Sequence, residues 1–132
     1  MPNYTILLVD DEEDMLRVIG ERIKSWDYSL IEAKNGREAL ESIKANPADV
    51  VVLDYMLPDM DGIEVLKGIR KINKKVPVIM FTAYPNPTSM REAEKLNISA
   101  YVAKLSDYTD THLLLKAAID MAIKKTNTSR RS

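Results

Sequence analysis

The segment VVVLDYMLPDMDG occupies residues 50–62 and joins a short apolar run to an acidic loop. The apolar run, residues 50–53, has the length and composition of a strand. Asp54 follows it directly, and residues 57–62 contain the Pro, Asp and Gly that favour turns. The segment therefore predicts a strand that delivers an aspartate to a turn-rich loop.

Further apolar runs on either side of this segment are also strand candidates, and they lie at residues 4–9, 28–33, 78–81 and 100–103. Segments with apolar residues at helical spacing separate the runs, so strand and helix alternate five times. Short alternating units favour a parallel sheet, because each crossover is right-handed and covers a face of the sheet. We predict a five-stranded α/β sandwich.

Capping residues mark several of the predicted helix ends. Asn35 with Glu38 three residues later is typical of a capping box at the start of the second helix. Asn86 followed by Pro87 predicts the start of the fourth helix. Asn97 is a candidate for the left-handed residue that ends the fourth helix.

Length and composition indicate one soluble globular domain, since 132 residues with 45% apolar and 30% charged side chains can bury a core. The net charge of −1 gives no general attraction to nucleic acid or anionic membrane. No apolar stretch reaches the length of a membrane span, and the absence of cysteine suits a reducing cytoplasm. We expect a cytoplasmic domain over residues 1–125, followed by a disordered basic tail or linker stub over residues 126–132.

Polar side chains follow four of the predicted strands. Asp10 and Asp11 follow the first, Asp54 the third, Thr82 the fourth and Lys104 the fifth. Ligands of open parallel sheets bind beyond the carboxyl ends of the strands, so we expect these side chains at one edge. A single aspartate after a strand is more often a helix cap, and one of the first pair is expected to cap the helix that follows.

Three carboxylates at one edge raise each other's pKa unless a cation or a lysine neutralises them. Carboxylates, a carbonyl and water are the ligands that Mg²⁺ prefers, usually with only one or two protein carboxylates. The pattern therefore predicts a magnesium site.

Four motifs together resemble the receiver domain of two-component response regulators, over the chain from about Tyr4 to Lys125. They are ILLVDDE at residues 6–12, VVVLDYMLPDMDG at 50–62, FTA at 81–83 and AYVAK at 100–104. The resemblance implies a flavodoxin-like (βα)5 three-layer sandwich with strand order 2-1-3-4-5.

The resemblance also implies roles for individual residues. Asp54 would accept a phosphoryl group from a sensor histidine kinase, a phosphotransfer protein or a small phosphodonor. The Mg²⁺ ligands would be Asp10, Asp11, Asp54 and the carbonyl of Met56.

The remaining residues implied by the resemblance bind the phosphoryl group or respond to it. Lys104, the Thr82 hydroxyl and the Ala83 backbone N–H would bind phosphoryl oxygens. Tyr101 would move with Thr82 as a switch. Each has a plainer alternative: Thr82 also suits a strand end, and Tyr101 suits a half-buried position.

The same resemblance implies a signalling switch that catalyses only its own phosphorylation and dephosphorylation. Phosphorylation would change the face made by the fourth helix, fifth strand and fifth helix, which would contact a downstream effector or output domain. We expect a monomer or weak dimer.

Two departures from the family pattern keep an alternative open. Leu105 stands where the family usually has a proline preceded by a cis bond, and a cis bond before leucine costs about 2.5–4 kcal/mol. Pro85 and Pro87 restrict the loop after Thr82. The alternative is a receiver-like interaction module that does not switch. A flavin protein of similar topology is disfavoured, because the acidic residues 10–14 would repel the flavin phosphate.

Overall fold

The computed structural model of the chain describes residues 3–104 and 108–131, with the side chains of the last helix described over residues 111–126. Strands and helices alternate strictly along it. The strands are β1 (Thr5–Val9), β2 (Ser29–Ala33), β3 (Val50–Leu53), β4 (Val78–Thr82) and β5 (Ala100–Ala103). The helices are α1 (Glu13–Ser25), α2 (Gly36–Ala45), α3 (Gly62–Ile72), α4 (Pro87–Lys95) and α5 (Tyr108–Arg131).

The strands form one parallel sheet in the order β2-β1-β3-β4-β5, which confirms the predicted flavodoxin-like topology. Leu53 at the end of β3 is level with Val9 of β1 and with Met80 of β4. Thr82 at the end of β4 is level with Ala103 of β5. The carboxyl ends of four strands therefore lie along the same edge.

Helices cover both faces of the sheet because strand residues alternate between the two faces. In β3, Val51 and Leu53 belong to the apolar cluster that includes residues of α2, α3 and α4. Val50 and Val52 belong to the opposite cluster, which includes residues of α1 and α5. All four side chains are buried, so the central strand has no solvent-facing side.

Three predicted capping residues, Asn35, Asn86 and Asn97, occupy the expected positions. Asn35 accepts the Glu38 N–H at 2.8 Å at the start of α2. Asn86 accepts the N–H of the third residue of α4, and Pro87 is the first residue of that helix. Asn97 follows α4 with a φ of 59°. Sequence analysis missed a second left-handed residue, Asp27, with a φ of 67° after α1.

The last helix, α5, continues to Arg131, through most of residues 126–132, which were predicted to be a tail or a linker stub. No glycine or proline interrupts the chain between residues 105 and 131, and the Thr126 hydroxyl donates to the Ala122 carbonyl at 2.9 Å, within the helix. Polar composition alone therefore did not end this helix. Among the described helices, none combines the length and the apolar character needed to cross a membrane.

Arg70 of α3 forms hydrogen bonds with the carboxyl end of α4, at the end of the sheet opposite to the carboxyl ends of the strands. Its guanidinium donates to the carbonyl oxygens of Leu96 at 2.7 Å and Asn97 at 3.1 Å. It also donates to the carbonyls of Val76 at 2.8 Å and Asn73 at 3.3 Å, in the loop before β4. One side chain thereby satisfies carbonyl groups that the end of α4 and the loop leave without helical partners.

Candidate functional site

Sheet hydrogen bonding continues one residue beyond three of the strands and fixes the backbone of the candidate site. Asp10 donates its N–H to β2 at 3.1 Å, Asp54 donates to β1 at 3.0 Å, and Lys104 donates to β4 at 2.7 Å. These residues are therefore positioned by the sheet itself, and their side chains start from a rigid edge.

Lys104 lies between two of the carboxylates. Its Nζ is 2.6 Å from Asp10 Oδ2 and 3.6 Å from Asp54 Oδ2. The side chains are nearly buried, with exposed fractions of 8% for Lys104, 2% for Asp10 and 8% for Asp54. The ammonium also lies 5.4 Å from the centre of the Phe81 ring, within the range of a cation–π contact. Charges held this far from water depend on one another for stabilisation.

The environment of Asp54 destabilises the ionised form of its carboxyl group. Burial raises the pKa of Asp54 to about 6 from the ordinary 3.8. The Lys104 ammonium lowers this pKa, the Asp10 carboxylate raises it, and the backbone N–H groups of Met56 and Tyr55 lower it. A further positive charge at this edge would therefore stabilise the ionised form.

Asp10, Asp11 and Asp54 form an acidic cluster that could hold a metal ion. Each offers one carboxylate oxygen, and these oxygens lie within 4.8 Å of one another. Asp11 is exposed, whereas the other two are buried, so the cluster is open on one side. Asp10 Oδ1 also accepts the Glu12 N–H at 3.0 Å. The expectation that one of the aspartates caps α1 is wrong, because the N-cap residue is Glu12 and its side chain makes no capping bond. An all-oxygen donor set of this kind fits Mg²⁺.

The loop after Asp54 folds back on itself beside the cluster. Met56 forms an isolated antiparallel bridge with Asp61, and the Gly62 N–H donates to the Tyr55 carbonyl at 2.6 Å. A Cβ at Gly62 would lie 2.8 Å from both the Asp54 carbonyl oxygen and Tyr55 Cα. The glycine therefore allows the start of α3 to approach the backbone of the candidate nucleophile.

The candidate switch residues lie along β4, β5 and the loop after β4. Thr82 is fully buried, and its Oγ1 accepts the Tyr84 N–H at 3.1 Å. Ala83 is exposed between them. Tyr101 is half-buried, and its hydroxyl lies 2.9 Å from the hydroxyl of Ser89 in α4. The conformation of the peptide bond between Lys104 and Leu105 cannot be compared with the family pattern, because Leu105 lies outside the described residues.

The structure thus brings Asp10, Asp11, Asp54 and Lys104 into one cluster and places Thr82 at the same edge. The functional roles assigned to them from the sequence remain predictions. Sequence analysis missed two polar residues near this edge, Ser89 and Asp59. Ser89 could have been suspected from its place three residues after Asn86, where a helix-capping N–H is expected.

The doubly wound parallel sheet, with an acidic cluster and a lysine at its carboxyl edge, is the arrangement that the resemblance to a receiver domain implied. A family model described as the response regulator receiver domain matches residues 6–118. The chain belongs to this family, whose members are signalling switches in two-component systems.

Curated relatives include single-domain and longer proteins. The chain is 35% identical over 107 residues to sporulation initiation phosphotransferase F of Bacillus subtilis, covering 81% of this chain and 86% of that protein. It is 32% identical over 117 residues to the transcriptional regulatory protein ZraR of Escherichia coli, covering 89% of this chain. It spans only 26% of the length of ZraR.

Solved structures share the fold across nearly the whole chain. The signal receiver domain of a putative Luxo repressor protein from Vibrio parahaemolyticus has a TM-score of 0.88 at 22% identity, covering 98% of this chain and 96% of that one. A CheY-like receiver domain protein from Methanospirillum hungatei has a TM-score of 0.83 at 25% identity, covering 94% and 99%.

Proposed function

We propose that this receiver domain is a phosphoacceptor and that Asp54 takes the phosphoryl group from a histidine kinase, a phosphotransfer protein or a small phosphodonor. The observation that carries the proposal is the clustering of the buried Asp54 carboxylate with Asp10, Asp11 and the Lys104 ammonium at the end of the sheet. A purely structural lysine–aspartate pair would not require two further carboxylates beside it.

The transfer is a displacement at phosphorus. A carboxylate oxygen of Asp54 attacks and forms the new P–O bond, while the bond from phosphorus to the donor breaks and the donor leaves with the electron pair. The product is an acyl phosphate on Asp54. The N–H groups of Tyr55 and Met56, which favour the ionised carboxylate, keep it available as a nucleophile.

The donor set fits Mg²⁺, with Asp10, Asp11, Asp54 and the Met56 carbonyl as the proposed protein ligands. The bound ion would neutralise charge on the phosphoryl oxygens during transfer. The Gly62 N–H is bonded to the carbonyl of Tyr55, so this hydrogen bond does not occupy the carbonyl of Met56.

Three groups are proposed to hold the phosphoryl oxygens. Lys104 is placed by its contact with the Asp54 carboxylate and would act as a point charge. The Thr82 hydroxyl accepts the Tyr84 N–H, which orients it and leaves its own proton to donate. The N–H of Ala83 would complete the set.

We further propose that the signal leaves through the face made by α4, β5 and α5. The Tyr101–Ser89 hydrogen bond links β5 to the first turn of α4, so a movement of Tyr101 would break this bond or displace that turn. On α5, Leu115 and Ile119 are buried, whereas Leu114 and Met121 are exposed. Exposed apolar side chains suit contact with an effector or output domain, or a weak dimer.

These proposals concern a domain acting in the cytoplasm, as suits a chain without cysteine. The names of the relatives, a phosphotransferase and a transcriptional regulator, are compatible with either a single-domain relay or the receiver of a longer regulator.

Incubation with acetyl phosphate and Mg²⁺ tests the proposed function. We expect the intact mass to increase by one phosphoryl group, the increase to require Mg²⁺, and Asp54→Asn to abolish it. Asp14→Asn, which removes an exposed carboxylate on α1, serves as the matched control and should behave as wild type. A wild-type protein that gains no adduct would instead support the non-switching interaction module.

A further inference from the structure

Asp59, at the tip of the loop after β3, contacts a different part of the chain. Its Oδ1 accepts the Gly36 N–H at 2.8 Å, and its Oδ2 accepts the Arg37 N–H at 2.9 Å. These N–H groups belong to the first residues of α2, which have no partners within the helix and favour negative charge. Both carboxylate oxygens are therefore used to tie the loop to α2.

The protonation behaviour of Asp59 agrees with this geometry. Burial would raise the pKa of Asp59, but backbone N–H donors, including those of Gly36 and Arg37, outweigh it and hold the pKa below its ordinary value. The carboxylate is thus ionised and bonded at neutral pH.

Packing beneath the carboxylate supports the same contact. A Cβ on Gly36 would overlap the Met60 side chain and would lie 2.8 Å from Val65 Cγ2. The absence of a side chain at Gly36 therefore lets the loop after β3 lie directly against the start of α2. The contact joins segments that are 23 residues apart in the chain.

The loop of residues 56–61 is therefore held at two places, its base and its tip. At its base, the Gly62 N–H donates to the Tyr55 carbonyl, and Met56 bridges to Asp61. At its tip, Asp59 is bonded to α2. The backbone of Met56 is part of the attachment at the base, and its N–H donates to the Asp54 carboxylate.

We propose that Asp59 is a positioning residue that fixes the loop of residues 56–61, and with it the Met56 carbonyl. The consequence for metal affinity rests on the proposed function, in which that carbonyl is a Mg²⁺ ligand. Asp59 is neither a proposed Mg²⁺ ligand nor a proposed phosphoryl-binding group. It acts through the backbone, so its removal weakens Mg²⁺ binding without removing a ligand.

Asp59→Ala and Asn35→Ala form a matched pair of variants. Both remove a side chain that accepts N–H groups at the start of α2, since Asn35 accepts the Glu38 N–H. Only Asp59→Ala releases the loop. Asp59→Asn keeps one acceptor oxygen and gives a milder variant for use if the alanine variant does not fold.

The first measurement is amide hydrogen exchange in metal-free protein. We expect the Gly62 N–H to exchange several-fold faster in Asp59→Ala, with a smaller increase in Asp59→Asn and none in Asn35→Ala. The second measurement is Mg²⁺ affinity from NMR titration. We expect several-fold weaker binding in Asp59→Ala and wild-type binding in Asn35→Ala.

Equal Gly62 exchange in wild type and both Asp59 variants, or an equal increase in Asn35→Ala, would overturn the positioning role. Unchanged Mg²⁺ affinity in a protein with a released loop would also overturn its effect on the Met56 carbonyl. Failure of wild type to bind Mg²⁺ or to accept a phosphoryl group would count against the proposed function instead, because the exchange comparison is made without metal.

Discussion

Asp54 carries its charge where water cannot solvate it well, and this gives the folded state a defined pH dependence. Its pKa is about 6 in the folded protein against an ordinary 3.8, so the folded state binds the proton more tightly than the unfolded chain does. The resulting stabilisation is fully present below about pH 4 and is lost as the pH rises through about 6.

We therefore expect metal-free wild type to lose about 2 kcal/mol of unfolding free energy, relative to Asp54→Asn, between pH 4 and pH 7, after allowance for solvent screening. Urea denaturation in EDTA across this range measures the difference. Other titrating groups affect both proteins alike, so only the gap between the two curves matters. Parallel curves would show that Asp54 has an ordinary pKa.

Lys104 and Lys116 offer a comparison of a buried and a half-buried ion pair with the same separation. Each Nζ is 2.6 Å from an aspartate oxygen, but the Lys116–Asp120 side chains are 41% exposed whereas the Lys104–Asp10 pair is almost buried. Removing one member of a buried pair leaves an uncompensated charge, while an exposed pair contributes little.

We expect Lys104→Met to lower the unfolding free energy at pH 7 by about 3 kcal/mol and Lys116→Met by less than about 1 kcal/mol. The cost of Lys104→Met should shrink at pH 5, because a carboxyl group can then take up a proton and remove the charge conflict. Thermal or urea denaturation at both pH values tests this. A cost that does not change with pH would mean that packing, rather than charge, explains the loss.

At the scale of the secondary-structure elements, the start of α3 depends on the absence of a side chain at Gly62. A Cβ there meets the backbone of Asp54 and Tyr55, which cannot move without disturbing β3. Gly20 in α1 provides the control, because its Cβ would meet only the tip of Leu30, at 2.9 Å.

We expect Gly62→Ala to lower the unfolding free energy by about 1–3 kcal/mol, as overpacking does. Gly20→Ala should change it by less than about 1 kcal/mol, since the Leu30 tip can shift and alanine favours the helix. Denaturation curves of the two variants test the difference. Equal effects would contradict the close backbone approach at Gly62.

Local signals predicted most elements well, but not all of their ends. The apolar run of residues 50–53 defined β3 to the residue, and Asn86 with Pro87 located the start of α4. The extent of α5 to Arg131 was not predicted, because a polar stretch without glycine or proline carries no stop signal. The change to polar composition after Ile123 indicates where the buried face of α5 ends, but it does not indicate where the helix itself ends.

For the whole molecule, the sheet edge could be predicted because parallel strands bring their carboxyl ends together whatever residues form the helices. Asp10, Asp54 and Lys104 were therefore grouped from the sequence. The bonds of Asp59 to α2 and of Tyr101 to Ser89 could not be, since they depend on how loops and helices pack across the fold. Pairwise contacts between distant segments leave no periodic pattern in a single sequence.

The guanidinium of Arg70 has a mechanical consequence for α4. It anchors the Leu96 and Asn97 carbonyls at one end of that helix. The other end begins beside the loop that follows Thr82. If α4 moves as a rigid body, we expect it to pivot about the end held by Arg70, so a displacement near Thr82 is largest at the amino-terminal turn and smallest at Leu96.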